Sequence, residues 1–167
     1  AAYDDPVTPS RRLVMGLHGH GGQAYSVIKK NGSGYSYDNS QIQAANTKTY
    51  VENTLGGTYR PLASTLIHGE ADANSNGIGN PAPYEAMIAE LQSDYESDFN
   101  TLTGRADHIP LFYSQENSYY PHQMSVAQTR AHRTYDNDIY LIGPTYQYPF
   151  NVDETHLTAD SYRRLGE

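Results

Sequence analysis

The chain has 167 residues, with 19 acidic against 11 basic side chains, a formal net charge of −8 and no cysteine. That length suits one domain with a real core, and the acidic balance argues against nucleic acid or an anionic membrane as partner, because phosphates need a basic surface. The lack of Cys removes a disulfide scaffold, a thiolate zinc site and a Cys nucleophile, and no apolar run approaches the roughly 18 residues of a membrane-spanning helix. Leu, Ile, Val and Phe are sparse, whereas Tyr occurs 16 times. Tyrosine brings apolar area with a hydroxyl that must stay wet or bonded. Such a surface suits sugars and is also common in extracellular proteins.

Taken in order, short apolar runs alternate with helical patterns. The chain opens on "AAYDDPVTPS" without a leader pattern. "RLVMGL" (Arg12 to Leu17) reads as a buried strand that runs into the glycine cluster "HGHGG". Gln41 to Leu55 reads as a weakly patterned helix with Ile42, Ala45 and Val51 as its apolar residues. "ASTLIHG" (Ala63 to Gly69) is a second strand, ending at His68. In "PYEAMIAELQSDYESDFNTL", residues Tyr84, Met87, Ile88, Leu91, Tyr95, Phe99 and Leu102 fall on one stripe at the helical period, and Pro83 suits the helix start. "HIPLFYS" (His108 to Ser114) is a third strand, His122 to Arg133 a helix, and "DIYLIGP" (Asp138 to Pro144) a fourth strand. A last helix follows, with Thr158 as N-cap and Asp160 favouring its dipole. It is still helical in pattern at "RRLGE", so both ends of the chain read as cut.

Strand and helix alternating in this way imply an α/β domain over residues 1–167, with a parallel sheet and helices on both faces. In such folds functional residues gather beyond the carboxyl ends of the strands. Three motifs lie there. "GLHGHGGQ" (Gly16 to Gln23) can bring backbone N–H groups close to an anion, or serve only as a tight turn. It lacks the Lys and Ser/Thr of a P-loop. "IHGEADA" (Ile67 to Ala73) sets His68, Glu70 and Asp72 directly after a strand. His18, His20, His68 and Glu70 are donor types found in zinc sites, but His-x-His in a glycine turn is thin support, and no metal or other cofactor is expected. "DETH" sets Asp153 three residues before His156. That is the spacing of a base and the carboxylate that fixes its tautomer, and equally that of a turn closed by a capping carboxylate.

Together the three motifs resemble the SGNH hydrolase superfamily, in particular the esterase branch with a Gln- or His-Gly-Glu motif. That branch includes acetylxylan and sialate O-acetyl esterases, and similar domains occur in phage tail proteins. The second block of the family looks like "GHGGQ" here, the third like "HGEAD", and the last like "DETHLTADSYRRLGE". The likeness runs from Arg12 to Glu167. It implies a three-layer α/β/α flavodoxin-like fold. It also implies His156 as the base with Asp153 as its orienting partner, a backbone N–H of Gly21 or Gly22 as oxyanion donor, His68 in the place of the side-chain oxyanion donor, and Glu70 and Asp72 as residues that orient neighbouring loops.

The first block departs from the family. No Gly-Asp-Ser or Gly-Gln-Ser precedes "GHGGQ"; Gly22–Gln23–Ala24 is the nearest echo, and neither Ser10 nor Ser26 stands in the right motif. The resemblance therefore implies that the first, central strand and the nucleophilic Ser come from another chain or precursor segment, since a sheet left open at that place exposes apolar edges. The function so implied is a serine esterase removing O-acyl groups, above all O-acetyl groups, from carbohydrate, in an extracellular or virion-associated setting. The alternative is a non-catalytic structural, filament-forming or glycan-binding module that keeps the fold and assembles as a homo-oligomer.

Overall fold

The computed structural model describes residues 2–4, 12–76, 82–116 and 124–166. Strands β1 (Ala2–Asp4) and β2 (Arg12–Val14) are followed by the single turn α1 (Tyr25–Ile28) and helix α2 (Ser36–Asn53). Then come β3 (Ser64–Leu66), α3 (Glu70–Asn76), α4 (Ala82–Thr103), β4 (Leu111–Gln115), α5 (Met124–Thr134) and β5 (Ile139–Pro144). A 3-10 turn at Thr145–Gln147 and α6 (Ala159–Leu165) complete the described chain. The protein is mixed α/β, and β3, β4 and β5 form a parallel sheet in that order.

α4 forms where the apolar stripe was read. Tyr84, Ile88, Leu91, Tyr95 and Phe99 are buried, and Met87 and Leu102 pack partly buried against the core. Tyr84 and Ile88 join α5 and the sheet in one cluster with Leu111, Tyr113, Met124, Ala127, Ala131 and Ile139. Leu91, Tyr95 and Phe99 join α1 and α2 in a second, through Tyr25, Tyr37 and Ala44. In α6, Thr158 is the N-cap as expected, its hydroxyl accepting the Ser161 N–H at 3.2 Å.

Two expectations are corrected. Arg12 to Leu17 is not a buried strand of the parallel sheet. Only Arg12–Val14 is extended, paired antiparallel with Ala2–Asp4, and Leu13, Val14, Met15 and Leu17 are exposed. A partner close in sequence forms a ladder at small loop-closure cost, whereas the parallel sheet ends at β3, whose other edge has no partner among the described residues. α2 starts at Ser36 rather than Gln41, and its inner face is Tyr37, Ser40 and Ala44, with Ile42 exposed. Aromatic packing decides the face: Tyr37 stacks on Tyr95 at 4.8 Å between ring centroids, and its hydroxyl donates to Asp98 at 2.9 Å. The short helices α1 and α3 carry no clear sequence period, and the sequence reading omits them.

The register gives the sheet two faces. Leu111, Tyr113, Ile139 and Leu141 point to the α4/α5 side, because side chains alternate along a strand. Thr65, Phe112, Tyr140 and Ile142 point to the other, where Phe112 and Tyr140 stack at 5.4 Å. Ile142 is 38% exposed there, whereas Leu111 is 1% exposed. Leu111→Ala is therefore expected to cost about 2–5 kcal/mol in urea unfolding, and Ile142→Ala about 0.5 kcal/mol or less. Equal losses would contradict this assignment of faces.

Candidate active site

The Asp153/His156 loop is a closed turn at the end of the sheet. Phe150 and Leu157 form an antiparallel bridge, Asn151 N–H donates to the His156 carbonyl at 2.7 Å, and Thr158 N–H donates to the Pro149 carbonyl at 3.1 Å. Inside the turn, one oxygen of Asp153 accepts the N–H groups of Thr155 (3.0 Å) and His156 (2.9 Å). Its other oxygen lies 2.9 Å from Nδ1 of His156. Glu154 takes a left-handed conformation (φ 55°) to let the chain reverse. A carboxylate only accepts, so Nδ1 carries hydrogen and Nε2 is left with its lone pair, the polarity a general base needs. Nε2 has no hydrogen-bond partner among the described residues, and the His156 side chain is 64% exposed. The same bonds close the turn, so Asp153 shapes the loop as well as orienting His156.

The glycine turn lies open but is held at both ends. Gly21 and Gly22 are exposed, Gly22 has φ +70°, and added Cβ atoms at Gly19, Gly21 or Gly22 would meet nothing within 4 Å. Before it, His18 packs beside Tyr95 (6.2 Å between centroids), and burial lowers its pKa. After it, Asp72 accepts the Tyr25 N–H at 2.7 Å, and Nε2 of His68 meets the Gln23 carbonyl at 2.9 Å. His20 stacks on Tyr35 at 5.6 Å, and Tyr35 is exposed.

His68 itself is buried, and so is Asp72, whose carboxylate lies 3.4 Å from Nε2. Burial lowers the His68 pKa more than the Asp72 and Glu70 charges raise it. Nδ1 of His68 is 2.5 Å from the Tyr84 hydroxyl, which is 2.7 Å from that of Tyr113. The His68 carbonyl accepts from Tyr113 Oη (2.5 Å) and from Gln128 Nε2 (3.1 Å), and Gln128 Oε1 accepts the Glu116 N–H at 2.7 Å. Glycine at position 69 follows from this packing. Its φ is +141°, and a Cβ there would stand 3.1 Å from Gln128 Nε2 and 3.3 Å from the Glu116 Cβ. Glu70 opens α3 half-buried.

Burial raises the Tyr162 phenol, and the carboxylates of Glu70 and Asp153 both add to the rise. His18, His20 and His68 do not converge: one packs on α4, one stacks on Tyr35, and one points at Gln23. Among the described residues no group of three or more His, Cys, Asp or Glu is placed to hold a metal. Ser26 is exposed in α1, while Ser10 and His122 lie outside the described residues, as does most of the loop from Gln115 to Gln123. Tyr84, Tyr113 and Gln128 were not singled out as site residues in the sequence. Their signal there was a Tyr opening the α4 stripe and another inside a strand, both close to the ends that carry motifs.

No family model, no curated protein and no solved structure matches the chain.

Asp153 holds its charge far into acid, its pKa lowered to about 2. The His156 backbone N–H is the main cause, then the His156 ring, then the Thr155 N–H. Carboxyl 13C NMR should therefore show an Asp153 inflection near 2, and in His156→Ala a rise that stops short of the ordinary aspartate value, because the backbone donors remain. The turn contributed by this charge persists above the ordinary aspartate range and is lost as pH falls toward the lowered value. An ordinary Asp153 inflection in the unmodified protein would contradict the geometry.

Proposed function

We propose that this domain is the larger part of an SGNH-type serine esterase acting on O-acyl, above all O-acetyl, groups of carbohydrate. Its Ser would come from a segment outside the 167 residues. The observation that carries the reading is the Asp153–His156 pair at 2.9 Å with Nε2 turned outward. In the reaction Nε2 takes the proton of the seryl hydroxyl as Oγ attacks the ester carbonyl. N–H groups of Gly21 or Gly22 face the oxyanion of the tetrahedral intermediate, and the alcohol leaves with the proton from Nε2. Water then repeats the steps and releases the acid. Tyr35, exposed and backed by His20, offers an aromatic plate to a sugar ring, whereas Tyr37 is buried and engaged by Asp98.

The unpaired edge of β3 supports the need for a further segment. Ile67, just beyond that strand, is 55% exposed, and the apolar residues after β2 are exposed as well. A strand added at β3 would satisfy its backbone and cover this surface. The same edge favours a second reading, a non-catalytic filament or glycan-binding subunit in which neighbouring copies donate the strand, in an extracellular or virion setting.

In the assembled protein, His156→Ala should lower acetate release from an aryl acetate or acetylated glycan by about 10³-fold or more, and Asp153→Asn by roughly 10²–10⁴-fold. Full turnover in His156→Ala would sink the esterase reading. Native mass measurement of the assembly tests the segment: a monomer of this chain's mass alone rules out both an added strand and a filament.

A further inference from the structure

We propose that the shallow cavity beside α5 is an anion subsite, where Arg130 and Arg133 take the carboxylate of an acidic sugar residue. The starting point is how the chain uses its few cations. Lys29 pairs with Glu90, Lys30 with Asp98, Lys48 with Glu52, Arg60 and Arg105 with Asp107, and Arg163 with Asp160. Arg164 lies over the Tyr148 ring at 5.7 Å, and Arg12 is engaged as well. Among the described residues only Arg130 and Arg133 are cations with no ion pair, hydrogen bond or ring contact. Both are exposed. In a chain of net charge −8 carboxylates are plentiful, so two neighbouring cations without one need a reason. Helix position supplies only part of it. Arg133 is in the last turn of α5, where a cation suits the dipole. Arg130 stands a turn earlier, and like charges at that spacing repel each other on a helix surface.

Both arginines line one cavity of about 260 Å³, with Gln115, Ser125, Val126 and Thr129. Val126, Arg130 and Arg133 are spaced to share one face of the helix. The floor is fixed from within. Gln115 Nε2 donates to the Thr129 hydroxyl at 3.0 Å and to the Ser125 carbonyl at 3.3 Å, and that hydroxyl donates to the same carbonyl at 2.8 Å. With these donors spent, the cavity's remaining ones are the two guanidiniums and the Ser125 hydroxyl. Gln115 Oε1 accepts no bond among the described residues and is left as an acceptor. Guanidinium forks match a planar carboxylate. Ser125 and Gln115 Oε1 offer a donor and an acceptor to sugar hydroxyls, and Val126, 41% exposed, meets the C–H side of a ring. A simple inorganic anion would use the arginines and leave the acceptor without a partner. Gln115 ends β4, and its carbonyl accepts the Thr145 hydroxyl at 2.9 Å, where the stretch leading to the Asp153 turn begins. The cavity therefore lies at the carboxyl end of the sheet, where ligands of such folds gather.

That the anion belongs to a sugar rests on the carbohydrate reading above; the anion site itself does not. In 15N NMR of the full chain at low salt, glucuronate should shift the side-chain Nε–H signals of Arg130 and Arg133, and added salt should weaken the effect. Acetate and glucose should each bind about tenfold more weakly or worse. Arg130→Gln with Arg133→Gln should weaken glucuronate binding about tenfold or more with the urea midpoint unchanged, whereas Lys48→Gln should change neither. No shift at the two arginines overturns the proposal, as does a double variant that binds as before. Acetate binding as tightly as glucuronate would mean a site for charge alone, and glucose doing so would leave the arginines no role; either result overturns it. Where the assembly turns over esters, the double variant should raise KM for an acetylated uronate-containing glycan and leave turnover of an aryl acetate as it was. An unchanged KM there also counts against the subsite. An assembly that binds glucuronate but releases no acetate counts against the esterase reading alone.

Discussion

The structure depends on one buried stripe. Tyr84, Ile88, Leu91, Tyr95 and Phe99 run along a single face of α4, and its two halves belong to different apolar clusters. The first half holds the helix on the sheet, and the second receives α1 and α2. α1 and α2 pack on α4 in this second cluster, which Leu66 of β3 also joins, so the segment that carries the glycine turn is located largely by way of α4. Edge contacts reinforce this: Tyr25 and Lys29 meet Glu90, and Tyr37 and Lys30 meet Asp98, all on α4. Part-buried hydroxyls donating to carboxylates fix position more than they add stability. The segment with the glycine motif is thus arranged on a helix with no motif in it.

Where α4 meets the strand ends, the core is polar. Tyr84, Tyr113, Gln128, His68, Asp72 and Glu116 are all buried there. Buried polar groups are tolerable only when each has a partner, and the cost of leaving one unmatched exceeds what each bond contributes. The cluster meets this condition through the His68 carbonyl, which takes two donors, and through Gln128, which donates from one end and accepts at the other. Such a network has few alternative arrangements, because a change at one member strands the next. That rigidity suits a support for a loop that is otherwise open to solvent.

What could be read from the sequence follows the range of the interactions. The α4 stripe repeats every three or four residues, and the strands β3 to β5 are short apolar runs between turns, so their positions were legible. Asp153 and His156 were legible for the same reason, since their contact spans three residues. The inner face of α2 was not, because Tyr37 is turned inward by Tyr95 and Asp98, both far along the chain. Nor was the fate of Arg12 to Leu17: its composition says buried strand, but burial requires a neighbour, and the neighbour is not determined by the run itself. The grip of His68 on Gln23 spans 45 residues and that of Asp72 on Tyr25 spans 47. No local pattern announces either.

The same contrast separates the two parts of the candidate site. The Asp153/His156 turn builds its own geometry from backbone bonds within a few residues, so the base keeps its orientation wherever the turn is placed. The glycine turn is open to solvent, since an added Cβ at Gly19, Gly21 or Gly22 would meet nothing within 4 Å, and the residues after it are held from far along the chain, Gln23 by His68 and Tyr25 by Asp72. An oxyanion site works only if its donors are aimed before charge develops. For the proposed oxyanion turn, that aim would come from the contacts of His68 and Asp72 on the residues that follow it. On the proposed reading, the buried His68–Asp72 pair would serve the site alongside the exposed Asp153–His156 pair, one by holding a loop and the other by building its own.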